Sequence, residues 1–183
     1  PLSDVPLASY RLAAQLLEEQ RAVAPNWADA SFFAPWGEGV DGEVTPLYRP
    51  GITGPAYYEF QVFGPTDPNT QRGFIIVSTG DYDHPITNWS TGWDYVANGP
   101  PLEDYVGWSP TRRMRLESGW TADKFYKLDT LSYLAEDINA VPGGTPVASR
   151  GTLPPKVNWP AGWADNPPPM VTTNSVPMLM AGL

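Results

Sequence analysis

Cysteine is absent from the 183 residues, which excludes disulfides, thiolate metal sites and cysteine nucleophiles together and leaves packing to hold the fold. Histidine occurs once, at His84, so a Ser-His-Asp triad would have to use it, and no serine sits in a Gly-x-Ser-x-Gly elbow. Basic residues are few, 11 against 20 acidic, for a net charge of -9. Phosphate-backbone binding draws on clustered Lys and Arg, so nucleic acid is not an expected partner. No apolar run approaches the roughly 18 to 20 residues of a membrane-spanning helix, so no transmembrane segment is expected. There is no Walker loop and no HExxH, and no cofactor is expected.

What is present is apolar and aromatic. Hydrophobic residues make up 42% and charged residues only 17%, a composition that folds in water rather than staying disordered. The length suits one domain with additional segments, since domains run from roughly 50 to 250 residues. The expected division is a single α+β domain over residues 1–153 and an extended proline-rich arm over residues 154–183. Eight tryptophans and nine tyrosines exceed what one core takes in, and aromatics serve both cores and binding surfaces.

The pattern along the chain is that of a helix followed by strands. Residues 3–24 read as one amphipathic helix, with capping oxygens at Ser3 and Asp4, Pro6 in the first turn and a stripe of Tyr10, Ala13, Ala14, Leu16 and Leu17. Pro25 ends it. Trp27, Phe32, Phe33 and Trp36 form an aromatic loop that covers the core or contacts a partner. Residues 46–49 begin a short strand. Residues 57–63 alternate, with Tyr58, Phe60 and Val62 on one side and Glu59 and Gln61 on the other, which predicts a sheet with one wet face. Turn residues from Gly64 to Gly73 lead into Phe74, Ile75, Ile76, Val77 and Ser78, a β-branched run suited to the middle of the sheet. An irregular strand is expected through residues 86–89. Residues 98–119 read as irregular with a basic patch at Arg112, Arg113 and Arg115. Residues 124–134 have strand character, and residues 128–138 stay open between strand and short helix.

Chemistry has few resources here. Asp81, Asp83 and His84 can be drawn as a metal site, but Asp and Pro are common in turns for backbone reasons, and the turn is the preferred reading. Glu59, Asp81, Asp83, Glu103 and Asp104 supply carboxylates for glycoside hydrolysis, a weak signal in a chain with 20 acidic residues, because that pair is defined in space. Asn88-Trp89-Ser90 matches the glycosylation tripeptide. Trp89, Trp93, Trp108, Trp159 and Trp163 lie in Gly/Pro/Ser-rich contexts, where they face a partner or sugar rings, or pack beneath loops. The expectation is no catalytic, cofactor or metal residue.

The last thirty residues hold seven prolines, which lack the N–H that a helix or sheet interior needs, so an extended run is expected. Partner contacts are assigned to Trp159, Trp163, Pro167, Pro168, Pro169, Met178, Leu179 and Met180, because unbranched Met and rigid polyproline suit groove docking.

One helix, an aromatic strand, then Gly73-Phe74-Ile75-Ile76-Val77-Ser78 followed by Gly80-Asp81 and Pro85-Ile86 resembles the propeptides of streptopain-type cysteine proteases and the small inhibitors related to them. The likeness runs over roughly residues 3–95. It implies a cystatin-like fold, a helix against a curved antiparallel sheet, and a binding or inhibitory module without catalysis of its own. The chain departs from that pattern in its Pro-rich arm and in having no protease domain with a nucleophilic cysteine.

Three functions follow as expectations. The first is a non-enzymatic accessory or structural subunit of an extracytoplasmic assembly, a filament or membrane-anchored complex, docking on other protein subunits, its own or different. The second is a cystatin-like inhibitor or propeptide-like module, and the third a carbohydrate-binding module with a glycan partner. An opening at Pro1 leads to the expectation of a secreted or periplasmic protein whose signal peptide has been removed.

Overall fold

The computed structural model describes residues 5–32, 44–64, 71–91, 109–119, 121–129, 132–137 and 148–150. They form an α+β fold with helix α1 (Leu7–Arg21), strands β1 (Val44–Tyr48), β2 (Tyr57–Phe63), β3 (Gln71–Ser78) and β4 (Ile86–Ser90), helix α2 (Pro110–Glu117), and strands β5 (Lys124–Lys127), β6 (Tyr133–Glu136) and β7 (Ala148–Arg150). The strands make one sheet in the order β4-β3-β2-β1-β5-β6-β7.

α1 is shorter than its sequence pattern. It begins after Pro6, whose carbonyl accepts the Tyr10 N–H at 3.1 Å, and it ends at Arg21. Pro25 then opens a single 3₁₀ turn, Pro25–Trp27, as suits a residue with no N–H to give. Ala13, Leu16 and Leu17 are buried on the sheet with Tyr10 packed beside them, against Trp27, Phe32, Tyr58, Phe60, Val62, Ile75 and Val77. Trp27 and Phe32 are therefore a covering segment, and Phe33 and Trp36 lie outside the described residues.

Two expectations about the sheet are corrected. It is mixed, because β1 runs parallel to β5, with Leu47 opposite Phe125 and Tyr48 opposite Tyr126, while its other neighbouring strands are antiparallel. The parallel pair follows from the crossover: after β4, at one end of the sheet, the chain returns across the other face through α2 and enters beside β1. The second correction concerns the wet face. Every residue of β2 is buried, Glu59 and Gln61 included. On the side away from α1, Met114 of α2 belongs to a second buried cluster with Leu47, Tyr57, Ile76, Phe125, Tyr133 and Ala135, so β2 is buried on both faces.

One further reading changes: residues 110–117, read as irregular, are helical. Within the stretch left open after Leu128 the described residues include strand β6, which pairs antiparallel with β5. The Leu128 N–H donates to the Ser132 carbonyl at 2.8 Å and the Ser132 N–H to Asp129 Oδ1 at 2.8 Å, closing the turn. The β2–β3 hairpin has the expected pairing, Tyr57 opposite Ser78 through Val62 opposite Gly73. Among the described residues no helix is long and apolar enough to cross a membrane. Residues 154–183 lie outside the described residues, and with them the proline-rich arm.

Candidate functional site

Strand periodicity places Tyr57, Glu59, Leu47, Phe125, Lys127 and Tyr133 on the α2 side of the sheet, and in this mostly apolar layer several ionisable groups are enclosed. The Lys127 side chain is fully buried. Its Nζ donates to the Asp129 carbonyl at 2.7 Å and to the Tyr133 hydroxyl at 3.2 Å, and lies 4.7 Å from the Tyr133 ring centroid and 5.6 Å from that of Tyr57. The rings present their electron-rich faces to the ammonium. Burial nevertheless lowers its pKa to about 8, because the loss of water outweighs the attraction of Asp83 and Asp129, and Arg49 pushes the same way as burial.

Beside it, Arg49 Nη1 donates to the Tyr57 hydroxyl at 2.8 Å, and that hydroxyl donates to Asp83 Oδ2 at 3.0 Å. The relay joins β1, β2 and the β3–β4 turn. The Tyr82 ring stands edge-on to Tyr57 at 5.7 Å, its hydroxyl bonded to the Ala56 carbonyl. Burial pushes the Tyr57 and Tyr133 phenols well above their usual range, so both are donors at neutral pH. Glu59 is a further buried ionisable group of this face. It takes donors from Thr111 at the start of α2, and burial raises its pKa in spite of them.

On the α1 side the notable feature is at the sheet's end. Trp89 in β4 is 43% exposed and rests beside the fully buried Trp27, ring centroids 6.5 Å apart. Trp27 Nε1 donates to the Arg72 carbonyl at 3.1 Å, and Asn26 Nδ2 donates to the Thr91 carbonyl. Arg72 Nη1 in turn donates to the Asn26 carbonyl at 2.9 Å and pairs with Asp29 at 2.6 Å. Three contacts from one short turn thereby fix the rim on which Trp89 stands.

The residues singled out from sequence scatter. Asp83 faces inward to Tyr57, while its Oδ1 accepts the His84 N–H at 2.8 Å. Asp81 and His84 are exposed. Among the described residues no group of three or more His, Asp or Glu gathers that could hold a metal ion. Asn88 lies within β4 opposite Ile76. Arg115 is drawn into packing, with Nη2 on Thr45 Oγ1 at 3.1 Å and its guanidinium 5.0 Å from the Phe125 ring centroid. Glu103, Asp104, Trp93, Trp108, Trp159, Trp163, Pro167, Pro168, Pro169, Met178, Leu179 and Met180 lie outside the described residues. The sequence reading missed Lys127. The signal was there in Phe125 and Lys127, two residues apart and hence on one face of a strand.

Comparison with protein-family models, with curated proteins and with solved structures returned no match. The functional reading therefore rests on this chain's own residues.

Proposed function

We propose that the chain is a non-enzymatic accessory or structural subunit of an extracytoplasmic assembly, docking on other protein subunits through aromatic surface and through the segment 154–183. The observation that carries this reading is Trp89, a large aromatic 43% exposed on the end strand of the sheet and braced from below by Trp27. Rigid, partly exposed aromatics are the side chains that most often anchor protein contacts. The buried ionisable groups support the same reading from the other side: Lys127, Arg49 and Glu59 are enclosed by rings, hydroxyls and backbone that already engage them. The test is the mass of the full chain in solution at increasing concentration, beside Trp89→Ser and a Met178→Ser/Met180→Ser double variant. Species heavier than the 20.0 kDa chain that grow with concentration and are lost in the variants are the expected result. A parent that stays at one chain mass throughout, or variants that assemble as it does, count against self-assembly.

A second reading, a cystatin-like inhibitor or propeptide-like module, is supported by α1 packed across the antiparallel strands β1 to β4, within the stretch that carries the resemblance. The parallel β1–β5 pair departs from it. Inhibition of a papain-like protease by micromolar chain is its expected result, and a panel without inhibition removes it.

A further inference from the structure

The connections that follow β1, β3 and β5 share one end of the sheet, because Leu47 stands opposite Tyr57, Tyr57 opposite Ser78 and Tyr48 opposite Tyr126. Arg49, the first residue past β1, is drawn in among them and is only 7% exposed. A guanidinium carries a permanent charge and five N–H donors, and a buried one is ordinarily paired with a carboxylate. Arg49 is engaged at one end only. Its Nη1 donates to the Tyr57 hydroxyl at 2.8 Å, and the Tyr82 ring centroid lies 5.8 Å away. Asp83 is reached only through that hydroxyl. Among the described residues, Nε and Nη2 have no acceptor, and Arg49 has no ion-pair partner. Neither nitrogen is sealed from solvent, so a ligand from outside can meet them.

We infer that the Nε–Nη2 edge of Arg49 is a binding site for a carboxylate, held by two parallel N–H···O bonds at the loop end of the sheet. The two N–H groups of that edge point the same way at the spacing of the two oxygens of a carboxylate, which is the geometry of the strongest arginine contacts. The bond from Nη1 to Tyr57 fixes the plane of the guanidinium before a ligand arrives, so little freedom is lost on binding. The surroundings favour a single negative charge. Lys127 lies close enough for Arg49 to repel its ammonium, whereas Asp83 and Asp129 attract it. A monoanion at Arg49 relieves the first contact, while a dianion such as phosphate meets the two aspartates with a second charge. Ile52, whose N–H closes the turn on the Arg49 carbonyl at 3.1 Å, and the Tyr82 ring are both partly buried against the cluster that holds Tyr57. They give the site an apolar margin, suited to a carboxylate on a short aliphatic chain. A small acid and a glutamate side chain of a partner protein both present that group. The site goes beyond the proposed assembly and does not depend on it.

The test follows the Arg49 Nε–H resonance of the full chain, labelled with nitrogen-15 arginine, as sodium butyrate is added at constant ionic strength. A saturable shift with a dissociation constant on the order of 1 mM is expected, as suits a ligand of so few atoms. Arg49→Lys keeps the charge and loses the fork, and in that variant butyrate, followed through the backbone amides of residues 49–52, should bind at least about tenfold more weakly. A blocked peptide with one glutamate is titrated in parallel. Saturation by butyrate assigns the site to small acids, and saturation by the peptide alone assigns it to a partner's side chain; either supports the inference. No saturable shift with either probe overturns it, and so does inorganic phosphate or chloride binding as tightly as butyrate, or Arg49→Lys binding as the parent does. Should Arg49→Lys fail to fold, the parent's titrations with butyrate, peptide, phosphate and chloride decide.

Discussion

At the scale of single side chains, Lys127 and Tyr57 carry the most consequence, because each places a polar group where water cannot reach. Lys127 holds its ammonium between two tyrosine rings with a pKa lowered to about 8 from 10.5. Between those values the unfolded chain binds a proton that the folded chain has released, so stability rises with pH. The parent is therefore expected to resist urea better at about pH 9.5 than at about pH 8, and Lys127→Met should lose that gain. Above the ordinary tyrosine value of 10.0 the direction reverses, since Tyr57 and Tyr133 stay protonated in the fold while the unfolded chain ionises them. Tyr57→Phe removes the hydroxyl that links Arg49 to Asp83. It leaves two charged groups short of a partner, and a loss of about 1–3 kcal/mol in denaturant unfolding is expected.

At the scale of elements, the joint between the 3₁₀ turn and strands β3 and β4 is closely packed. A Cβ added at Gly73 would fall inside contact distance of both the Ser90 carbonyl oxygen and the Trp27 ring. Gly73→Ala should therefore cost about 1–3 kcal/mol, as over-packing does, and the quenching environment of Trp27 should change with it. The hairpin β2–β3 was legible in the sequence because its alternation and β-branched run are local signals. α2 was not. Its residues Thr111, Arg112, Arg113 and Arg115 present no wide apolar stripe, and among the described side chains Met114 and the polar Thr111 mark the buried side. The helix is specified by what it meets, Glu59 beneath its first turn and Phe125 beneath Arg115. The same long-range contact encloses Glu59, which alternation alone would leave in water, and Gln61 on the same face of β2 is buried as well.

At the scale of the whole molecule, the sheet is two antiparallel runs, β1 to β4 and β5 to β7, joined by the parallel β1–β5 pair. Leu47 sits at that seam, fully buried and opposite both Tyr57 and Phe125. Leu47→Ala is expected to lower stability by about 2–5 kcal/mol, and exchange protection should fall in β5 and β6 before it falls in β2 and β3. Loss of protection in all strands together would mean that the two runs unfold as one unit.

The sequence by itself determined the helix-then-strand order, the α1 stripe that meets the sheet and the β2–β3 hairpin, because periodicity and turn chemistry act over a few residues; it did not place that hairpin, whose strand β3 is second from one end of the sheet rather than in its middle. It also determined that thiol chemistry is impossible. Only the tertiary structure decided that the sheet is mixed, that a second helix covers its other face, and that Lys127 and Glu59 are enclosed. A strand's period tells which residues share a face but not what lies over that face. The return of the chain across the sheet, from β4 through α2 to β5, brings together residues such as Glu59 and Thr111 that no local signal connects.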